Sequence, residues 1–327
     1  MALRVGVTGP TGEIGKAAIA ALEEHAGVEA IVGMARRPFD PAAQHWTKTT
    51  YRQGDILDRD AVDALVADVD VVVHLAFIIM GSRAESARVN LAGTRNVFEA
   101  TVAAARPRRL VYTSSVAAYG YHADNPVPIT EDVAPRGSAE HYYSEQKAAC
   151  EAALTEITSG SDLEVFVLRP CIVAGPHAPA LADAMPWNKL PGPVRRISQA
   201  LPVLRPFPDP GTPLQLVHHD DVAAAIALAV TTRTAPPGAY NIAGDGVVSM
   251  SQVGEAFGAL PIKVPRAAAV VTSEVLSALP FVPSALEWLH AGRTSVVMDT
   301  EKAKSELGWR PRYTSAETLA ALASALR

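Results

Sequence analysis

Tyr143 and Lys147 stand four residues apart in the stretch EHYYSEQKAACEAALTEI, Glu140 to Ile157. Apolar residues recur there at Tyr143, Cys150, Leu154 and Ile157, the period of a helix with one buried stripe. Lys147 falls on the same stripe. Burying an ammonium is costly unless something nearby needs its charge. At a spacing of four, both side chains leave one helix face. A cation beside a phenol favours the phenolate and is expected to draw the tyrosine pKa from about 10 toward neutrality. A phenol so tuned exchanges a proton with a carbinol or a carbonyl. The lysine is then tolerated because its face borders a polar cleft and not a dry core. Tyr142 lacks this chemistry, because the residue four after it is the uncharged Gln146.

A second group of hydroxyls ends the apolar run RRLVYTSS, at Ser114 and Ser115. The carboxyl end of a parallel strand is where open α/β sheets bind ligands, so a serine there is placed to hold a substrate oxygen against Tyr143. Ordinary turn chemistry also puts serines at strand ends.

The third feature is TGPTGEIG, Thr8 to Gly15, with glycines at 9, 12 and 15 between a strand and a helix. In that position Gly9 permits the tight turn, Gly12 lets backbone approach a pyrophosphate, and Gly15 allows close helix–strand packing. The amides around Glu13 and Ile14, at the helix N-terminus, attract the anion. The next strand ends in GMARRPFD, with Arg36 and Arg37 where a carboxylate would bond a ribose 2′-hydroxyl. Arginine pairs with a 2′-phosphate, so NADP is expected in preference to NAD; the alternative is that both arginines are only solvated. In GDILD, Asp55 is placed to accept from an adenine amino group with the Ile56 amide nearby, or else to cap a helix.

These groups need a scaffold, and the first half of the chain supplies one by alternation. LRVGVTG, VEAIVGMA, DVDVVVHLAF, RRLVYTSS and LEVFVLRP read as strands. GEIGKAAIAALEEH, one long helix over ESARVNLAGTRNVFEATVAAA, and the Tyr143 helix ending near Ser159-Gly160 lie between them. Alternation of this kind implies an α/β fold with a doubly wound parallel sheet. From Pro176 to Pro213 the chain turns proline-rich, which suits a substrate loop or a surface insertion. LQLVHH and AYNIAG then read as further strands around the helix DVAAAIALAV. Residues 1–175 with 214–245 are expected to form the dinucleotide domain, and 176–213 with 246–327 a smaller substrate domain.

The 327 residues carry a net charge of −5 with both signs spread along the chain, so neither nucleic acid nor a membrane surface is an expected partner. Charges break every apolar stretch before about 18 residues, and no leader precedes the first strand, so a cytoplasmic location is expected. Cys150 and Cys171 lie in apolar surroundings and read as buried hydrophobes. VHHDD, Val217 to Asp221, suggests a metal, but neighbours on a strand point to opposite faces. No metal is therefore expected, and Asp220 or Asp221 is read as a helix N-cap. Arg293 faces either a substrate anion or a surface partner.

Taken together, TGPTGEIG, GDILD, HLA at His74 to Ala76, NLAGT around Asn90, TSSVAAYG, YSEQK, LRPCIVAGP and LGWRP at Leu307 to Pro311 resemble the extended short-chain dehydrogenases/reductases, also called the NAD-dependent epimerase/dehydratase family. The motifs cover nearly the whole chain in family order. The resemblance implies a Rossmann domain with a smaller, mostly C-terminal substrate domain. It implies Ser115 as catalytic serine, Tyr143 as general acid/base, Lys147 on the nicotinamide ribose, and Asn90 in organising the site. The cofactor contacts expected are Gly9, Thr11, Gly12, Glu13, Ile14, Gly15, Arg36, Arg37, Asp55, Ile56, Leu75, Ala76, Tyr143, Lys147 and Pro170. Family members are often dimers through their long helices, so a homodimer is a further expectation.

Two departures narrow the chemistry. Val116 and Ala117 stand where sugar-nucleotide dehydratases of the family carry Asp-Glu, so the proton carriers for elimination of water are missing. Ile172 stands where epimerases of the family show asparagine, which removes a polar contact to a nucleotide sugar. Trp187, Leu190, Ile197, Leu201, Val203, Leu204 and Phe207 form either an apolar pocket wall or the small domain's own core. The expected activity is carbonyl/alcohol interconversion on a small, fairly apolar molecule. A sugar-nucleotide epimerase working by transient oxidation is the alternative, and a non-catalytic dinucleotide-binding protein the third reading.

Overall fold

In the computed structural model, residues 2–79, 83–189, 205–265 and 294–326 are described. Seven parallel strands form one sheet. They are β1 (Leu3–Thr8), β2 (Val28–Ala35), β3 (Thr49–Gln53), β4 (Val71–His74), β5 (Arg109–Thr113), β6 (Glu164–Pro170) and a seventh, Gly238–Ile242. Their spatial order is β3-β2-β1-β4-β5-β6 followed by the seventh strand. The order reverses between β1 and β4, which opens a crevice at the carboxyl ends of those two strands. The sheet is buried on both faces, which is why β4 reads VVVH without alternation and every residue in it is buried.

Helices cover both faces. On one side lie α1 (Glu13–Glu24) and the helix His219–Thr231, which pack together against Val5, Val7, Ile31, Val111 and Leu168. On the other lie α2 (Arg59–Val66), the helical run through Ala103, and α5 (Tyr142–Thr158), around Val72, Leu110, Phe98 and Tyr112. A third apolar cluster holds Trp187 and Phe207 with Leu181, Met185, Leu214, Val253 and Leu322.

The single helix expected from Glu85 onward is three consecutive pieces. These are α3 (Arg83–Ala87), a π-helical stretch Arg88–Gly93, and α4 (Thr94–Ala103). The wider turn carries Asn90, whose amide bonds the loop after β4 and Gln146, and Gly93, where a Cβ would stand 2.5 Å from Ile56 Cδ1. The proline-rich segment holds short elements, a helix Ala180–Asp183, a 3-10 turn Pro186–Lys189 and a strand Pro206–Asp209. Trp187 packs on Phe207 with ring centroids 6.0 Å apart, so those two side chains belong to a core and not to a pocket wall. Leu190, Ile197, Leu201, Val203, Leu204 and Arg293 lie outside the described residues.

Candidate active site

The glycine turn sits at the crevice. Gly9 has φ +73, and a Cβ there would meet the Ala76 amide at 2.7 Å. Leu75 and Ala76, at the end of β4, thus form the floor under the turn. A Cβ on Gly15 would lie 2.1 Å from Gly9 O, so this glycine is required for α1 to close on the loop. Gly12 differs from both: a Cβ there meets only Gly9 O, at 3.6 Å. Gly12 is the N-cap of α1 and brings no capping side chain. The packing of the protein therefore does not require a glycine there, and the first-turn amides are left open to an anion. Thr11, Glu13 and Ile14 complete this turn. Gly33, which carries no motif in the sequence, lets β2 approach: a Cβ on it would meet Pro10 Cγ at 2.9 Å.

Arg36 and Arg37 are exposed at the end of β2 and enter no ion pair among the described residues. Their carbonyls are pinned, by Gln53 Nε2 on Arg36 O at 3.0 Å and by the Tyr51 hydroxyl on Arg37 O. Asp55 does not cap α2; Asp58 does, accepting from the Asp60 and Ala61 amides. The Asp55 carboxylate accepts from Leu57 N at 3.0 Å, and Ile56 is buried beneath α4.

The catalytic candidates come together from β5 and α5. Ser115 follows β5 and accepts from Ala117 N at 3.2 Å, and its hydroxyl lies near enough to the Tyr143 phenol to favour the ionised form. Ser114 is excluded from this role because its hydroxyl donates to Glu151 Oε1 at 2.5 Å. Lys147 Nζ donates to Thr113 O at 2.9 Å and lies 5.9 Å from the Tyr143 ring centroid. Tyr143 and Lys147 thus share one face, as their spacing requires. The electrostatic expectation is corrected. Burial holds the Tyr143 phenol above its usual value, opposed by the nearby Ser115 hydroxyl, and Lys147 is not among the causes. The ammonium itself is lowered to about 8 by burial.

Asn90 organises from a distance. Its amide oxygen accepts from Ile78 N at 2.8 Å, and its nitrogen donates to Ile78 O at 2.9 Å and Gln146 Oε1 at 2.8 Å. Its side-chain bonds go to the loop and to Gln146, and it lies among the residues that hold the loop against α5. Tyr142 bonds Ile79 O at 3.2 Å, beside the same loop. Pro170 ends β6 opposite Ile242.

Behind the site lies a buried ion pair that no sequence motif announces. Arg169 Nη2 contacts Glu151 Oε2 at 2.6 Å, and Arg169 Nη1 donates to the Tyr119 hydroxyl, which donates to Asn241 Oδ1. A weaker signal is present: Glu151 is four after Lys147, and Arg169 interrupts an apolar strand. The expectation for VHHDD also needs correction. His218 ends a strand and His219 begins a helix, so their rings lie together, 4.3 Å apart, with Asp220 beside them. The N-cap is His218, whose Nδ1 accepts from Asp220 N, while Asp221 is buried and accepts from the amides of Arg312 and Tyr313. His219 Nε2 likewise accepts from His177 N. These bonds direct one lone pair of each imidazole at an N–H, which opposes shared metal ligation. His74, fully buried, joins Thr8 of β1 at 2.7 Å to Thr94 of α4 at 2.9 Å.

The family model for the NAD dependent epimerase/dehydratase family matches residues 5–243. The chain belongs to that family. An uncharacterized protein of Mycobacterium tuberculosis is 28% identical over 258 residues, covering 76% of this chain and 64% of the relative. The match therefore spans under two thirds of that relative's length. A dTDP-6-deoxy-L-talose 4-dehydrogenase (NAD(P)(+)) of Kitasatospora kifunensis is 26% identical, covering 97% of this chain and 93% of the relative. Among solved structures, UDP-glucose 4-epimerase of Thermotoga maritima with UDP-glucose has a TM-score of 0.71 at 20% identity, covering 99% of this chain and 98% of the other. MoeE5 in complex with UDP-glucuronic acid and NAD has a TM-score of 0.72 at 22% identity, with the same coverage. These two likenesses establish the Rossmann-type fold. Among the described residues no helix is long and apolar enough to cross a membrane.

Proposed function

We propose that this chain is a dinucleotide-dependent sugar-nucleotide epimerase, which oxidises one carbinol of its substrate transiently and restores it with inverted configuration. The observation that carries the reading is the Ser115–Tyr143–Lys147 group at the end of β5, the strand paired with β4, whose carboxyl end meets the glycine turn at Gly9. Support for a nucleotide-sugar substrate comes from the fold neighbours bound to UDP-sugars. The residues fit a dinucleotide: Gly9, Thr11, Gly12 and the amides of Glu13 and Ile14 take the pyrophosphate. Gly15 closes the turn, Asp55 and Ile56 flank the adenine, and Leu75, Ala76 and Pro170 line the crevice. Arg36 and Arg37 are free to pair with a 2′-phosphate, which favours NADP. Bound there, the nicotinamide supplies hydride chemistry.

The protein supplies position and the proton. Ser115 orients the substrate oxygen, and the Tyr143 phenol exchanges the proton with it. Taking the carbinol proton in the oxidation step requires the phenolate, which burial opposes and the Ser115 hydroxyl favours; the phenol so formed returns the proton as the carbonyl is reduced. Lys147 holds the nicotinamide ribose. Val116 and Ala117 leave elimination without carboxylates. Residues 1–175 with 214–245 hold the dinucleotide in this reading, and 176–213 with 246–327 the substrate.

A second reading, net carbonyl/alcohol interconversion, is favoured by Ile172 and by the dehydrogenase that matches nearly the whole chain. The test is incubation with UDP- and dTDP-hexoses and each dinucleotide, following products by NMR and reduced-nicotinamide absorbance. Epimeric product without net absorbance change supports the first reading; steady net change supports the second. Tyr143→Phe abolishes either, with dinucleotide affinity intact. Retained turnover in that variant refutes both.

A further inference from the structure

Lys147 is the group proposed to hold the nicotinamide ribose, and the role inferred for its neighbour Phe77 rests on that proposal. In the structure the ammonium is sealed. Lys147 is 3% exposed. Its Nζ donates to Thr113 O at 2.9 Å, the Phe77 ring covers it at 3.7 Å to the centroid, and the Tyr112 and Tyr143 rings stand at 5.1 and 5.9 Å. An ammonium has three N–H donors, and a ribose hydroxyl must come within about 2.9 Å to accept from one. No oxygen fits between Nζ and a ring 3.7 Å away.

The covering groups differ in freedom. Thr113 belongs to a central strand. Tyr112 is 1% exposed, stacked on His74 and edge-on to Phe98. Tyr143 is the proposed acid/base. Phe77 alone of the four lies on a loop, the one after β4, and is partly exposed, edge-to-face with Tyr143 at 5.5 Å and 87°. It follows Ala76 directly, so it also adjoins the floor of the dinucleotide turn.

We propose that Phe77 is the positioning residue of the Tyr143–Lys147 pair: its ring face seats the ammonium against the Thr113 carbonyl and swings aside when a dinucleotide ribose takes its place. The attraction is that of a cation for an aromatic face. Burial under this ring agrees with the lowered lysine pKa of about 8.

The experiment is trace acetylation of the purified full-length chain with acetic anhydride across neutral to alkaline pH, reading the Lys147 peptide by mass spectrometry. The wild type should reach its half-maximal rate at about 8. Phe77→Ala uncovers the ammonium, so the midpoint should rise by about one pH unit or more. Phe77→Leu keeps apolar cover without the ring face, so its midpoint should fall below the wild type. Phe77→Trp should restore wild-type behaviour, and its solubility guards against a misfolded alanine variant. An unchanged midpoint in Phe77→Ala overturns the seat, and a wild-type midpoint in Phe77→Leu overturns the role of the ring. Saturating NADPH, or NADH where titration shows that it is the dinucleotide bound, should slow Lys147 acetylation in both wild type and Phe77→Ala. If it slows neither while the midpoints move as expected, the ribose assignment of Lys147 fails and the seat stands.

Discussion

Replacing Gly12 by alanine separates the dinucleotide cradle from the scaffold that carries it. The added Cβ meets only Gly9 O at 3.6 Å, an ordinary contact. Backbone angles of φ −73 and ψ 173 are ones alanine adopts freely. Alanine for glycine at such a site stabilises by about 0.4–1 kcal/mol through the unfolded chain. A poorer N-cap offsets a few tenths of that. Stability should therefore stay within about 1 kcal/mol of the wild type, a Tm shift of about 3 °C or less. The methyl group, however, stands where phosphate oxygens must approach the first-turn amides. Two charge-assisted hydrogen bonds at about 1.5–3 kcal/mol each are disturbed, which weakens binding by about a hundredfold or more. Gly15→Ala is the contrast, because its Cβ would lie 2.1 Å from Gly9 O and 2.8 Å from Pro10 C, all backbone. That variant should lose about 1–3 kcal/mol of stability as well as binding. Calorimetric unfolding and titration with NAD and NADP read both quantities. If Gly12→Ala binds within about threefold of wild type, the turn does not cradle a pyrophosphate. If it unfolds as readily as Gly15→Ala, Gly12 is structural.

Other expectations rest on single contacts. Arg36→Ala should weaken NADP binding about tenfold or more, by loss of a charge-assisted contact, and leave NAD binding nearly unchanged; equal effects on both dinucleotides in titration would refute the 2′-phosphate role. Glu151→Ala leaves the Arg169 guanidinium buried without its carboxylate partner and should cost about 3–5 kcal/mol in urea unfolding; a loss under about 1 kcal/mol would show that the buried charge does not depend on Glu151. His74 is held at about 3 by burial and by the charge of Lys147, against 6.5 unperturbed. The unfolded chain binds the extra proton in that window. This contribution to stability is therefore complete above about pH 6.5 and declines on acidification, by up to about 1.4 kcal/mol per pH unit. His74→Gln should flatten the slope of unfolding free energy between about pH 6.5 and about pH 4.5, and an identical slope in the variant would refute the assignment.

Much of the framework was readable without coordinates. The strands β1, β2, β4, β5 and β6 lie on apolar runs because those runs are buried in the sheet, and Gly9, Ser114 and Pro170 mark the ends of β1, β5 and β6. Tyr143 and Lys147 share a face because a spacing of four on a helix allows nothing else. The readings that failed share one cause, since each depended on a partner that local pattern does not reveal. Asp220 did not cap its helix because the preceding imidazole of His218 already did. The long helix is interrupted by a π-helical stretch in which Asn90 bonds Ile78 and Gln146 of α5, partners distant in the chain. His218 and His219 came together because a strand gave way to a helix between them, which alternation along a strand does not foresee.

By itself the amino-acid sequence determined the order of strands and helices, the glycine turn and that Tyr143 and Lys147 share a helix face. Those come from period, turn chemistry and short spacing, which are local properties of a chain. Only the tertiary structure decided which serine is free, with Ser114 held by Glu151 and Ser115 turned to Tyr143. It alone decided that burial raises the phenol, and that a phenylalanine 70 residues before the lysine covers its charge. Desolvation and contact depend on what the folded chain brings alongside a group, and that is set by packing between segments remote in the chain.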